Sequence, residues 1–220
     1  MAARPVFLID VDDTLLDNDR FEQELGDRLT NLFGAAANDA YWADLKRLQD
    51  DTGYVDYLAT LQRLRQHVGH VPALLRMSQW FLEYPFAERL YPKALEVVAR
   101  LASIGTPVIL SDGDVVFQPR KIQRSGIWDA VAGEVLIYVH KQNEIEAIRK
   151  LYPAPHYVLV DDKINILADM KAALGAELTT VFARQGHHAA KAAGASFKPE
   201  LAADRIGELL DVDWEALLQR

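Results

Sequence analysis

At 220 residues, half hydrophobic and a quarter charged, the chain has the size and composition of one large domain or one domain with an insert. Its net charge of −8 argues against a nucleic-acid backbone as main partner, because neutralising phosphates takes a basic face. The absence of cysteine rules out disulfides, thiolate metal sites and cysteine nucleophiles, and no apolar run reaches the roughly 18 residues that span a bilayer.

Met1-Ala2-Ala3-Arg4-Pro5 runs directly into the first strand, which predicts no signal peptide and a cytoplasmic location. Val6-Phe7-Leu8-Ile9 is too short for a helix and reads as a strand buried on both faces. Asp10-Val11-Asp12-Asp13-Thr14 follows at once. Side chains alternate along an extended chain, so Asp10 and Asp12 would face one small volume and Val11 the other side. Like charges so crowded are costly unless a cation or a reaction requires them.

From Asp19 to about Tyr84 the apolar spacing predicts helices only. Phe21, Leu25, Leu29 and Leu32 form one stripe, stopped at Gly34; Tyr41, Leu45 and Leu48 form a second. Val55, Leu58, Leu61, Leu64 and Val68 form a third. Pro72 opens a fourth that carries Leu75, Met77, Trp80 and Phe81. After Leu90-Tyr91-Pro92, helix and strand alternate: helix 93–104, strand 108–110, helix 118–125, strand 135–139, helix 143–151, strand 157–160, helix 164–174 and strand 179–183. The tail from 201 to 218 reads as packing helices. Such alternation with short loops means an α/β fold, a Rossmann-like doubly wound parallel sheet covered by helices. The first strand belongs to that sheet. Residues 1–16 and 88–220 then form the core, and 17–87 an inserted all-helical cap domain.

In open α/β sheets ligands bind beyond the carboxyl ends of the strands. Those ends carry Asp10-Val11-Asp12, Ser111-Asp112-Gly113-Asp114, His140-Lys141 and Asp161-Asp162. Lys121 is read as lying on a solvated helix face and Lys150 near a helix C-terminus, where a cation favours the dipole. Only Lys141 follows directly from a strand. A turn explains Asp112 and Asp114. Asn165 reads either as a partner of Asp161 or Asp162 or as a plain helix cap. Arg184-Gln185-Gly186-His187-His188 reads as a surface loop, and Trp42, Trp80 and Phe81 as the core of the insert.

These residues carry a resemblance. Asp10-Val11-Asp12-Asp13-Thr14, Ser111, Lys141 and Asp161-Asp162 resemble, in order, the four motifs of the haloacid dehalogenase-like hydrolase superfamily. The long gap between the first two is similar to that superfamily's cap insertion. The resemblance implies a phosphatase-type member that uses Mg²⁺, held by Asp10, the backbone carbonyl of Asp12, and Asp162 with Asp161 beside it. It implies Asp10 as nucleophile, Asp12 as general acid and base, and Ser111 and Lys141 as ligands of the phosphoryl group, with Asp112 near the substrate. The family's metal-free dehalogenases lack an acid at position 12, so Asp12 points to phosphoryl transfer. The expected activity is a Mg²⁺-dependent phosphohydrolase forming an aspartyl-phosphate on a small phosphorylated metabolite. The alternatives are a phosphomutase, a metal-free dehalogenase or a non-catalytic phosphate-binding protein. No nucleic-acid or membrane partner is expected, and the chain would work as a monomer or homodimer.

Overall fold

Val6–Ile9 forms β1, and every one of its four residues is buried. Pleating sends Phe7 and Ile9 into one apolar layer and Val6 and Leu8 into another. β1 pairs in parallel with β2 (Thr106–Asp112) on one side and β4 (Tyr157–Asp161) on the other. β3 (Val135–Tyr138) extends the sheet beyond β2. β5 (Leu178–Ala183) and β6 (Leu201–Ala203) extend it beyond β4. The six parallel strands run β3-β2-β1-β4-β5-β6. The order reverses beside β1, which is where a parallel sheet opens a crevice at its carboxyl edge. The computed structural model describes residues 4–69, 71–192 and 194–218, and of residues 71, 190 and 191 the backbone alone. Met1-Ala2-Ala3, on which the leader-free reading rests, lies outside the described residues.

Between β1 and β2 the chain is helical: α1 (Asn18–Phe33), α2 (Ala35–Thr52), α3 (Tyr57–Leu64), α4 (Val71–Glu83) and α5 (Ala94–Ile104). Asp17 begins α1 by accepting from the Arg20 N–H, and Asp56 begins α3 through the Ala59 N–H. α6 (Phe117–Arg124) and α7 (Ile127–Ala130) follow β2, and α8 (Ile145–Leu151) follows β3. α9 (Ile164–Leu174), α10 (Gly186–Lys191) and α11 (Trp214–Leu218) complete the covering layers. No described helix is long and apolar enough to cross a membrane.

Two departures from the sequence reading have physical causes. The tail is not wholly helical, because Leu201–Ala203 adds β6 to the open edge of β5, a pairing that three residues cannot announce by periodicity. Leu75 is 65% exposed, while α4 turns Ala73, Leu74, Met77 and Phe81 inward. Of the predicted stripe Met77 and Phe81 are buried and Trp80 packs against the core, and Leu74 takes the place expected of Leu75.

The insert shares its core with the sheet. Phe21, fully buried, meets the rings of Tyr57, Trp80, Phe81, Tyr84 and Phe86 in the insert and Phe117 on α6. Arg120 on α6 donates twice to the Leu82 carbonyl, and Arg124 to those of Glu83 and Tyr84. These are the carbonyls that the end of α4 leaves without helical partners. The segments entering and leaving the insert are tied together by Asp17 N–H to Arg89 O and Tyr91 N–H to Leu15 O, 2.8 and 2.9 Å.

Candidate active site

Strand β1 delivers Asp10 to the carboxyl edge, and the chain then folds into a tight loop in which the Val11 carbonyl accepts from Thr14, Leu15 and Leu16. Val11 is buried in the core, as alternation predicts, while Asp12 lines the crevice and Asp10 is buried at the strand end. Asp13 takes a left-handed conformation, φ 57°, and its Oδ1 accepts from the Asn18 and Asp19 N–H groups at the start of α1. Gly186 crosses this loop so closely that a Cβ on it would lie 2.4 Å from that of Asp13. Glycine alone fits there, and its φ of 66° adds to the constraint.

Lys141, fully buried, reaches back from the turn after β3. Its Nζ lies 2.6 Å from Asp10 Oδ1, 2.6 Å from Asp161 Oδ2 and 3.2 Å from the Leu110 carbonyl; it donates hydrogen bonds to Asp10 and Leu110 and faces Asp161 as an ion pair alone. Burial opposes the charges, but Lys141 and Lys163 outweigh it at Asp10 and hold that carboxyl below its ordinary pKa. Burial likewise opposes the Lys141 charge, and Asp10, Asp161 and Asp112 override it, raising the lysine's pKa. Lys163, next in sequence after the last carboxylate pair, is raised in the same way by Asp10, Asp161 and Asp162.

At Asp162 the pull of Lys163 is outweighed. Both Asp162 oxygens are buried without a hydrogen-bond partner among the described residues. Burial first, then repulsion from Asp10 and Asp161, push its pKa up to about 9. Asp10, Asp161 and Asp162 each offer an oxygen within 4.8 Å of the others. A buried carboxylate with two orphaned oxygens fits a hard cation, which prefers oxygen ligands. Those three residues would hold it. Asp161 is further engaged, because its Oδ1 accepts from the Lys163 N–H at 2.8 Å. That backbone group takes the place considered for Asn165, which is exposed.

Ser111 at the end of β2 is buried and accepts from Gln118 Nε2 at 2.9 Å. Asp112 accepts from the Lys141 N–H at 2.8 Å, fixing the turn that aims the lysine. Asp114 caps α6 through the Val116 and Phe117 N–H groups. Thr14 reaches Asp10 Oδ2 at 3.4 Å.

Three groups escaped the sequence reading. Lys121 is not solvated: it is 1% exposed, and its Nζ lies 2.8 Å from Asp12 Oδ1 and 2.9 Å from Asn18 Oδ1. Gln118, one turn earlier, donates to Asp12 Oδ2 at 3.0 Å. Only the packing of α6 against the insert turns that helical face inward. The segment 184–188 is not a plain surface loop either. Gln185 is buried and donates to the Thr14 carbonyl, and His187 hydrogen-bonds Asp19 and lies 3.4 Å from Asp13 Oδ2.

Between this edge and the helices α1–α3 lies a cleft of about 640 Å³, the size of a small-molecule site. Asp12 and Lys163 line it from the core, and Glu22, Trp42 and Tyr57 from the insert. His140 also lines it and packs on Gly53, where a Cβ would approach its ring to 2.8 Å.

No protein-family model and no curated protein matches the chain. Solved structures do. A protein described as a haloacid dehalogenase-like hydrolase, from Burkholderia xenovorans LB400, is 49% identical, with a TM-score of 0.90 over 98% of this chain and 99% of its own. A HAD hydrolase from Bacillus subtilis bound to magnesium matches at 14% identity, TM-score 0.60, over 99% and 100% of the two chains. The L-2-haloacid dehalogenase of Xanthobacter autotrophicus matches at 17%, TM-score 0.59, over 95% and 97%. The last two share the fold, and the first shares close to half its residues along its whole length. With a parallel sheet whose edge gathers Asp10, Ser111, Lys141, Asp161 and Asp162, the chain belongs to the haloacid dehalogenase-like hydrolase family.

Proposed function

We propose that the protein is a Mg²⁺-dependent phosphohydrolase acting on a small phosphorylated metabolite through an aspartyl-phosphate on Asp10. The observation that carries this reading is Asp162, whose two buried oxygens have no donor and stand with Asp10 and Asp161 within ligand distance of one point. A metal-free displacement gives those oxygens no partner. Bound there, Mg²⁺ would neutralise charge on the phosphoryl group and bring it to the nucleophile. The magnesium of the Bacillus structure supports the same choice of ion.

The chain's own residues then divide the work. Lys141 holds Asp10 Oδ1, and Oδ2, reached only by Thr14 at 3.4 Å, is the freer oxygen for attack. Ser111 and the Lys141 ammonium steady the phosphoryl oxygens, with Asp112 setting the lysine's turn. Asp12 gives a proton to the leaving oxygen, then takes one from the water that hydrolyses the aspartyl-phosphate. The insert acts as the cap: its face over the cleft keeps water out and reads the leaving group.

The test is hydrolysis of 4-nitrophenyl phosphate with Mg²⁺ and with excess chelator. Turnover that requires the metal is expected. Undiminished turnover in chelator, or none under either condition, overturns the reading.

A further inference from the structure

Lys121 is a buried charge that the outlined reaction does not use. Its ammonium sits 5.7–5.9 Å from the ring centroids of Phe21, Tyr57 and Phe86, which wall it from water. An ammonium so desolvated needs a counter-charge, and Asp12 is its one ion-pair partner among the described residues. The dependence runs both ways. Lys121 holds Asp12 Oδ1 and Gln118 holds Oδ2, two residues three apart on one face of α6. The carboxylate so clamped stays 25% exposed, toward the cleft. The phosphoryl-binding groups, Ser111 and Lys141, make no contact with Lys121.

We propose that Lys121 is the positioning residue for proton transfer at the leaving-group oxygen. It fixes the Asp12 carboxylate at the cleft and offsets the negative charge left there once the proton has gone. This rests on the phosphohydrolase reading. In the first half-reaction the bond from Asp10 oxygen to phosphorus forms, the bond from phosphorus to the leaving oxygen breaks, and the leaving oxygen takes the proton of Asp12. In the second, water oxygen bonds phosphorus, the Asp10–phosphorus bond breaks, and Asp12 recovers a proton from that water. Four of the groups around the ammonium, Asn18, Phe21, Tyr57 and Phe86, come from the insert. The insert thus walls the ammonium and supplies one of its acceptors, while Lys121 and Gln118 of α6 hold Asp12.

The experiment compares two aryl phosphates in the presence of Mg²⁺. 4-Nitrophenolate leaves readily without a proton, whereas phenolate is the stronger base and needs one. In Lys121→Met the ratio of kcat/KM for 4-nitrophenyl over phenyl phosphate is expected to rise at least about ten-fold, the scale of lost acid catalysis, with KM changed less than about three-fold. Asp12→Asn should raise the ratio similarly, and the double variant no further, because Lys121 acts through Asp12. Should the Met variant fail to fold, Lys121→Arg keeps the charge and should keep the wild-type ratio while slowing both esters. An equal loss on both esters in Lys121→Met, an additive double variant, or an altered ratio in Lys121→Arg overturns the proposal and leaves the phosphohydrolase reading standing. No turnover of either ester by the wild type overturns both.

Discussion

Asp10 and Asp12 lie two residues apart, and each is paired with a buried lysine, yet the two pairs sit in different surroundings. Lys141 and Asp10 are sealed from water together with Asp161, and the charge of the lysine is met entirely by the sheet edge. Lys121 is equally sealed, but its partner Asp12 keeps a quarter of its side chain exposed, and the walls of its cage come from the insert. The first pair belongs to the sheet and has one geometry. The second spans two layers and depends on how they pack. In the proposed reaction the nucleophile belongs to the rigid pair, and the acid that meets a variable leaving group to the one facing the cleft.

The comparison breaks most visibly at the nucleophile. Asp10→Asn keeps the shape and one acceptor for Lys141 but removes the attacking charge. It should lower kcat on the order of 10⁴-fold or more with little loss of fold, as measured by steady-state kinetics beside a melting curve. Lys141→Met is the next largest, and it strikes stability as well. It strands Asp10 and Asp161 as facing buried carboxylates, which costs about 3–5 kcal/mol. For a chain of this length that lowers Tm by roughly 10 °C or more when measured in chelator. A Tm within a degree or two of the wild type would mean that the sealed pair is not what holds this edge together.

How far these elements were legible in the sequence follows the same division. Strand-end residues are placed by a period of two and by the chain's need to stop at the sheet edge, so Asp10, Ser111, Lys141 and Asp161-Asp162 can be found by reading. Lys121 and Gln118 sit on a short helix whose sequence, Phe117-Gln-Pro-Arg-Lys-Ile-Gln-Arg, carries too few apolar residues to fix its inward face. Phe117 stacking into the Phe21 and Phe81 cluster fixes it instead, a contact across 96 and 36 residues that no local pattern encodes. The exposure of Leu75 and the strand β6 escape for the same reason. Gln118 was reachable by one signal, since a polar residue three before a lysine, after a motif-bearing strand end, could face that edge.

Asp162 offers a gain of stability where the other changes lose it. At neutral pH, with its pKa pushed up to about 9, Asp162 must take up a proton to stay buried without a donor in the metal-free protein. Asn removes that cost, so Asp162→Asn should raise stability in chelator by about 1–3 kcal/mol, read as a higher Tm. In the wild type, Mg²⁺ at 100 times its Kd should add about 2.7 kcal/mol, and the variant should lose most of that increment. Melting curves of both proteins with and without Mg²⁺ read this directly. A variant that keeps the full metal-induced shift would remove Asp162 from the ligand set and turn attention to Asp161 and Asp10 alone.

The smallest effect sharpens the contrast between the two lysines. Methionine in place of Lys121 fits a cage of three aromatic rings, and the thioether packs well against them. Asp12, already a quarter exposed, can turn toward water instead of remaining stranded. What is lost is a hydrogen bond to each of Asp12 and the buried Asn18, so Lys121→Met should cost only about 1–2 kcal/mol. That is a fall in Tm of roughly 5 °C, clearly less than for Lys141→Met measured beside it in chelator. Two buried lysines, each facing carboxylate at under 3 Å, would then differ in stability because the partner of one, Asp12, can be rehydrated and those of the other, Asp10 and Asp161, cannot. Equal losses in the two variants would mean that Asp12 is as sealed in solution as Asp10. The freedom to turn toward the cleft that sets Asp12 apart from Asp10 would then be gone, and the leaving-group role of this pair with it.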